Sequence, residues 1–282
     1  MSNSDIATLL RHACATLTPC SDTPRLDAEV LLAYALAKSR AYLYTWPEHI
    51  PDAVTQHYFS TLLERRRRGE PVAYLTGYRA FWSFDLRVTP DTLIPRPESE
   101  LLVSLALTRL PQQGTRRIAD LGTGSGALAL ALAQERRDAE IIAVDSNSAA
   151  LDVARTNAQI LGLTDILFIH GYWCDGLACD QFDVIVANPP YIAANSPWLQ
   201  QGDVRFEPIS ALVSGHDGLD AIRQIIQQAL CRLKPGGWLL LEHGFDQGSA
   251  VSTLLHQRGF INVSTHPDQS GHNRVGSGYR PR

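Results

Sequence analysis

The side chains with chemistry to offer are concentrated in a few short stretches. The first is Asn188-Pro189-Pro190-Tyr191. Two consecutive prolines remove two backbone donors and fix φ, so a strand that reaches them cannot continue. The result is a rigid loop that presents an amide side chain, backbone carbonyls and an aromatic ring. Such a loop fits a planar group carrying an exocyclic NH2. The Asn188 side-chain oxygen and the Pro189 carbonyl accept from its two N–H bonds, and Tyr191 stacks on its plane. The nitrogen lone pair is left pointing out of that plane. An ordinary strand-ending turn explains the bare tetrapeptide equally well, so the rest of the chain must decide.

The second stretch is Gly122-Thr123-Gly124-Ser125-Gly126, directly before an apolar helix. Its glycines let backbone approach a ligand, and the helix start offers free N–H groups. Asp145 comes about twenty residues on, where a carboxylate accepts from ribose hydroxyls. Together they point to an adenosine-containing cofactor. The turn by itself fits a nicotinamide dinucleotide and adenosylmethionine alike, since Gly122, Gly124 and Ala127 satisfy G-x-G-x-x-G/A. The loop at Asn188 separates the two. A dehydrogenase has no use for an amine clamp; a methyltransferase acting on an amine or amide nitrogen does. Trp173 is placed either to wall an adenine pocket or to fill a core.

Other constellations are thin. Glu242-His243 ends a strand with no partner serine or second ligand in view. No histidine pair has zinc spacing, so no metal is expected, and there is no nucleophile elbow.

These residues need a scaffold that brings strand ends together. Phe182 to Ala187 is apolar and β-branched enough for a buried strand. From Arg116 the pattern alternates. Strands are expected at 117–121, 141–145, 166–169, 182–187 and 238–242. Helices are expected at 127–136, from Ser148 to the stop at Gly162, and through Leu219 to Leu233 up to Pro235-Gly236-Gly237. Late strands fall at 260–265 and 274–280. This is a doubly wound α/β sheet of the nucleotide-binding type, with ligands at the C-terminal edge of its strands.

Ahead of it, residues 1–75 read as a helical domain. Pro24 opens a helix whose face is Leu26, Val30, Ala33, Tyr34 and Ala37. A second helix from Asp52 carries Val54, Tyr58, Phe59, Leu62 and Leu63, and Gly69 stops it. Its last turn holds Arg65, Arg66, Arg67 and Arg68, which read as solvated cations at a helix C-terminus or as a docking patch. Residues 76–95, with Phe81, Phe84, Leu86 and Val88 around Trp82-Ser83, form a β-hairpin linker. The methyltransferase domain spans 96–282; at its start, in Ile94 to Glu100, Pro97 and the two glutamates suit a helix start and only Arg96 lacks a structural reason.

Bulk properties agree. At 282 residues, 45% apolar and 19% charged, the chain is expected to be a soluble two-domain protein. No apolar run approaches a membrane span, and no secretory signal is visible, so a cytoplasmic location is expected. The five cysteines have no metal spacing and read as reduced thiols. A net charge of −4 argues against a broad nucleic-acid surface.

Asp120 to Gly126 and Asn188 to Tyr191 resemble the seven-strand adenosylmethionine-dependent methyltransferases. Ile94-Pro95-Arg96-Pro97-Glu98-Ser99-Glu100 narrows the resemblance, as do Glu207-Pro208, Ala211-Leu212, Gly215 to Leu219, Arg65 to Tyr78 and the tail Asp268 to Arg274. Along its whole length the chain resembles the bacterial protein-glutamine N5-methyltransferases of peptide chain release factors. The resemblance implies methylation of the glutamine in the Gly-Gly-Gln motif of class I release factors, with S-adenosyl-L-methionine as donor, and so a modulation of translation termination. It implies that Gly122, Thr123, Gly124, Ser125, Gly126, Asp145, Trp173 and Asn188 contact the cofactor. Asn188, Pro189, Pro190 and Tyr191 hold the glutamine amide, and the helical domain docks the release factor. Ser99 replaces the common threonine and keeps the hydroxyl. Asn273 stands where an acidic residue is expected. The competing expectations are a ribosomal-protein glutamine methyltransferase and an adenine-N6 nucleic-acid methyltransferase.

Overall fold

The computed structural model describes residues 4–110 and 116–282; residues 1–3 and 111–115 of the expected domains lie outside them. The chain divides into two compact units. One comprises the residues up to Tyr78 together with Trp198–Phe206; the other comprises Arg79–Pro197 and Glu207–Arg282.

The first unit is built from α1 (Ile6–Leu17), α2 (Pro24–Ala35), α3 (Arg40–Thr45), α4 (Ala53–Arg67) and α5 (Val72–Thr76). Asp5 and Asp52 cap α1 and α4 by accepting from Thr8 and Thr55 N–H. The core is Ile6, Leu10 and Leu17 of α1, Leu31 and Leu32 of α2, and Phe59 and Leu62 of α4. The expected faces hold in part: Ala33 of α2 and Phe59, Leu62 and Leu63 of α4 are buried. Leu26 and Tyr34 of α2 and Val54 and Tyr58 of α4 are exposed, while Ala28, Leu31 and Leu32 are buried. Both helices carry apolar residues on two sides, and periodicity cannot choose between them. Buried charge completes the packing. Asp27 accepts from Arg66 Nε at 2.7 Å, and Arg66 Nη1 reaches Asp203 at 2.8 Å. Arg66 is therefore a core ion-pair residue. Arg65 binds Glu70, and Arg67 and Arg68 bind Glu64. The rest of the arginine run is thus paired within its own segment, with Arg65, Arg67 and Arg68 at the exposed surface.

The second unit opens with a hairpin of β1 (Tyr78–Phe81) and β2 (Phe84–Arg87), then α6 (Glu100–Arg109). Its sheet contains β3 (Arg116–Leu121), β4 (Ala139–Asp145), β5 (Leu167–His170), β6 (Phe182–Ala187), β7 (Leu233–Glu242), β8 (Ile261–Pro267) and β9 (Asn273–Tyr279). The order is β5-β4-β3-β6-β7-β9-β8. The first five strands are parallel, and β9 runs antiparallel to both of its neighbours, β7 and β8. Helices α7 (Ala127–Glu135), α8 (Ser148–Leu161), α9 (Asp220–Arg232) and α10 (Gly248–Arg258) provide the crossovers. Two apolar layers, one on each face, bury the inner parallel strands β4, β3, β6 and β7, while β5 at the edge stays partly exposed. The doubly wound expectation holds.

Two boundaries differ. The strand expected from Trp238 begins at Leu233, because α9 closes at Arg232 and Leu233 already pairs with Phe182. The glycine pair then runs through a register irregularity instead of ending a helix. Helix α10 went unrecognised because its buried apolar residues are few: Val251 and Leu255.

The sequence turns back on itself at β3. The chain steps outward to β4 and β5, then returns to the other side of β3 as β6. That reversal is a topological switch point, the place where open α/β sheets bind ligands. Two buried polar side chains hold the turn there. Asp120 accepts from the Thr123 hydroxyl at 2.6 Å and Ala129 N–H at 3.1 Å. Asn157 of α8 bonds both backbone groups of Arg87 and the Ser125 carbonyl, tying hairpin, helix and glycine turn together.

Burial pushes the Asp120 carboxyl up to about 7, against the pull of its two donors. A folded-state value above the unfolded one means its contribution to stability is complete below the unfolded pKa and is lost as pH rises through about 7. Asp120→Asn removes that dependence. Urea denaturation at several pH values is expected to show the free-energy difference moving in the variant's favour between pH 5 and pH 8. A difference that stays flat with pH would contradict a neutral Asp120 in the fold.

Candidate active site

Strand register lines up the chemistry. Leu121 pairs with Val144 on one side and with Ala187 on the other, and Ala187 pairs with Leu241. One residue further along each strand stand Asp145, Gly122, Asn188 and Glu242. Adjacent strands are about 4.8 Å apart, so these four form a row along the C-terminal edge. Three of them were expected at the site. Glu242 was expected to have no partner, and that is corrected below.

The glycine turn leaves β3 sharply. Gly122 and Thr123 N–H both donate to the Val144 carbonyl, and Gly122 and Gly124 adopt φ of +74° and +56°. A side chain at Gly122 would also come within 3.2 Å of the Trp173 ring. The turn is thus backbone-lined by necessity. Gly126 lies behind it, packed on Leu130 and Ala154. Asp145 accepts from Gly124 N–H through one oxygen and from Asn147 N–H through the other, each at 2.8 Å. Burial pushes its carboxyl upward, and the donors of Asn147 and Gly124 oppose this. Each oxygen keeps a lone pair for a ligand hydroxyl.

Trp173 lies in the loop after β5. It holds φ of +50°, rare for a bulky residue and a kind of strain that clusters at ligand sites. The ring belongs to the core and also lines the cavity beside the turn. Its indole N–H is buried with no partner among the described residues. A buried donor without an acceptor is costly, and here it sits beside a cavity.

That cavity measures about 380 Å³, within the usual range for small-molecule sites. Gly122 to Ser125, Asp145, Trp173 and Asn188 all line it. Glycine-lined backbone, a carboxylate with spare lone pairs and an unpaired indole N–H fit a ribose-bearing cofactor with a planar base. Pro190 lines the cavity too, whereas Pro189 and Tyr191 are not among its lining residues.

The loop after β6 is anchored from behind. Asn188 Nδ2 donates to Ser99 Oγ at 3.0 Å, and Ser99 Oγ donates to Glu242 Oε2 at 2.6 Å. The Tyr191 hydroxyl donates to Glu242 Oε1 at 3.2 Å. Tyr191 is therefore held by its hydroxyl, with its ring packed against the core. Burial raises the pKa of both Tyr191 and Glu242; at Glu242 the bonds from Ser99 and Tyr191 and the nearby Arg274 oppose the rise. So Glu242 does have a serine partner, 143 residues away in sequence, a separation no local pattern reveals. Arg96, unexplained in the sequence, pairs with the buried Glu207, whose other oxygen accepts from Ile94 N–H at 3.0 Å. Two motifs far apart in the chain thereby close one wall. Among the described residues there is no cluster suited to a metal ion and no helix long and apolar enough to cross a membrane.

The comparisons with known proteins agree with this geometry. The family model described as PrmC N-terminal domain matches residues 8–77, and the methyltransferase small domain matches residues 99–200. A methyltransferase from Pyrococcus furiosus superposes with a TM-score of 0.54 at 18% identity, covering 79% of this chain and all of that one, which supports the fold. The release factor glutamine methyltransferase of Xylella fastidiosa is 52% identical over 91% of this chain and 94% of its own length. That of Escherichia coli is 49% identical over 94% and 95%. With this level of identity sustained from the helical unit through the sheet, the chain belongs to the release factor glutamine methyltransferase family.

Proposed function

We propose that this enzyme transfers a methyl group from S-adenosyl-L-methionine to the side-chain amide nitrogen of the glutamine in the Gly-Gly-Gln motif of class I release factors, and so modulates translation termination. The observation that carries the reading is the state of Asn188. Its Nδ2 is engaged by Ser99, and its Oδ1 has no partner among the described residues, at the lip of a cavity shaped for the donor.

The donor, when bound, supplies a methyl group already activated on a sulfonium. An amide nitrogen is a weak nucleophile, because its lone pair is delocalised into the carbonyl. The protein's work is therefore mostly positioning, with reacting atoms brought to roughly 3–3.5 Å. Asn188 Oδ1 and the Pro189 carbonyl accept the two N–H bonds of the substrate amide. As the nitrogen gains positive charge, those acceptors stabilise it, the mirror of an oxyanion hole. Pro190 keeps the loop stiff, and Tyr191 supplies the ring against the amide plane while Glu242 holds its hydroxyl. The N–C bond forms as the donor's S–C bond breaks, and the cationic nitrogen then loses one N–H proton, acidic enough to pass to water, so no strong general base is required. On the donor side, Asp145 takes the ribose hydroxyls, the turn from Gly122 to Gly126 lets backbone approach, and Trp173 walls the base.

The helical unit is proposed to dock the release factor. Tyr44, Trp46 and Val54 expose apolar surface there, which suits a protein partner better than a nucleic acid, and the net charge of −4 agrees. A cytoplasmic location accords with a substrate that acts on ribosomes.

The direct test supplies methyl-labelled adenosylmethionine with a class I release factor, the same factor with the Gly-Gly-Gln glutamine changed to alanine, ribosomal protein and DNA. Label on the wild-type factor alone is the expected result; label on ribosomal protein or DNA instead would overturn the substrate. Asn188→Ala is expected to lower kcat by about 10²–10³, and near-normal turnover would remove it from the amide clamp. Asp145→Ala is expected to weaken donor binding by about 10–100-fold, the loss of hydrogen bonds to a charged group. An unchanged Kd in calorimetry would end its ribose role.

A further inference from the structure

We propose that Ser99 and Glu242 are positioning residues for Asn188: the Glu242 carboxylate sets the direction of the Ser99 hydroxyl, and that hydroxyl decides which end of the Asn188 amide faces the substrate. This rests on the reading of Asn188 as the amide acceptor.

An amide side chain can turn over by 180° with almost no change in shape. The two ends are opposite in chemistry: one is an acceptor, the other a double donor. A clamp for an NH2 group works only with the oxygen outward. Turned the other way, Asn188 would set its own NH2 against the substrate's, donor against donor. Something must therefore choose, and the loop's prolines cannot, since they act on backbone alone.

The choice is made two bonds away. Ser99 Oγ donates to Glu242 Oε2 at 2.6 Å, so its one hydrogen is spoken for. What Oγ can offer Asn188 is then a lone pair. Asn188 answers with Nδ2 at 3.0 Å, and Oδ1 is left for the substrate. The carboxylate itself is held by the Tyr191 hydroxyl on its other oxygen, so the residue that ends the loop steadies the residue that orients its beginning. Hydrogen bonds in series polarise one another. Donation from Nδ2 to Ser99 pushes electron density through the amide onto Oδ1, which makes it a stronger acceptor as positive charge grows on the nitrogen it holds.

The position of Glu242 argues for function over stability. It is 2% exposed at the end of a central strand, and burying a carboxylate is costly even when it is well bonded. An apolar residue there would serve the core better. Register makes the arrangement possible: Leu241 pairs with Ala187, so Glu242 and Asn188 emerge side by side, and the turn Pro97–Ser99 ahead of α6 lays Ser99 across both.

The test is a double-mutant cycle on the full-length enzyme with release factor as substrate, measuring kcat, KM, donor Kd by calorimetry and melting temperature. Ser99→Ala is expected to lower kcat about tenfold or more, the effect of about 1.4 kcal/mol, with KM and donor Kd within about twofold. Ser99→Thr, which restores the hydroxyl, recovers turnover. In an Asn188→Ala background, Ser99→Ala has no further effect, because the two residues act as one unit. Glu242→Gln lowers kcat with the same dependence on Asn188. Additive losses, loss through KM or melting temperature alone, or failure of Ser99→Thr to recover activity would overturn the relay. An impaired Asn188→Ala beside a fully active Ser99→Ala overturns the relay and leaves the clamp standing. A fully active Asn188→Ala overturns both.

Discussion

The register of the parallel strands is the constraint on which the site depends. Val144, Leu121, Ala187 and Leu241 form one row across the ladder, each at or one residue before the end of its strand. A slip of one position in any pair would reverse every side chain of that strand between the faces. Both faces here are apolar and covered, so a slip would also drive Asp120 or Asp145 into different surroundings. The hydrophobic layers therefore do more than hold the domain together. They fix, to the residue, which groups meet at the edge where the chain reverses direction.

Around that row, polar groups are buried in an ordered way. Asp120 braces the glycine turn from below, Asn157 ties it to the hairpin, and Glu242 holds Ser99 and Tyr191. Each is a cost that a purely apolar core would avoid. Their common property is contact with a loop that must keep one conformation. Backbone geometry alone does not do this, because glycine turns are permissive and an amide side chain has two nearly isosteric orientations. Hydrogen bonds to fixed acceptors remove those freedoms. The same logic applies on the wall opposite, where Glu207 joins Arg96 to the backbone at Ile94.

The helical unit shows a different use of buried charge. Buried Arg66 and Asp27 pair there, and Arg66 also reaches the partly exposed Asp203 of the segment Trp198–Phe206, which belongs to this unit though distant in sequence. A run of four arginines thus divides between a core ion pair at Arg66 and surface pairs with Glu64 and Glu70.

Much of this protein was determined locally. The prolines at 189 and 190 end a strand wherever it lies, because they lack the donors a ladder needs. Gly122 to Gly126 forms a tight turn because glycine tolerates positive φ. Alternating strands and helices dictate a doubly wound sheet, and the motifs around Asn188 and Arg96 carry the family resemblance. Tertiary structure decided the rest, for reasons of distance. Which faces of α2 and α4 are buried depended on partners, since both helices are apolar on two sides. Arg66 became a core residue only when Asp27 and Asp203 closed on it. Glu242 acquired a serine 143 residues away, and with it a direction for the Asn188 amide. A hydrogen bond between groups so far apart leaves no periodic trace in the chain; it exists only once the sheet has set β6 and β7 side by side.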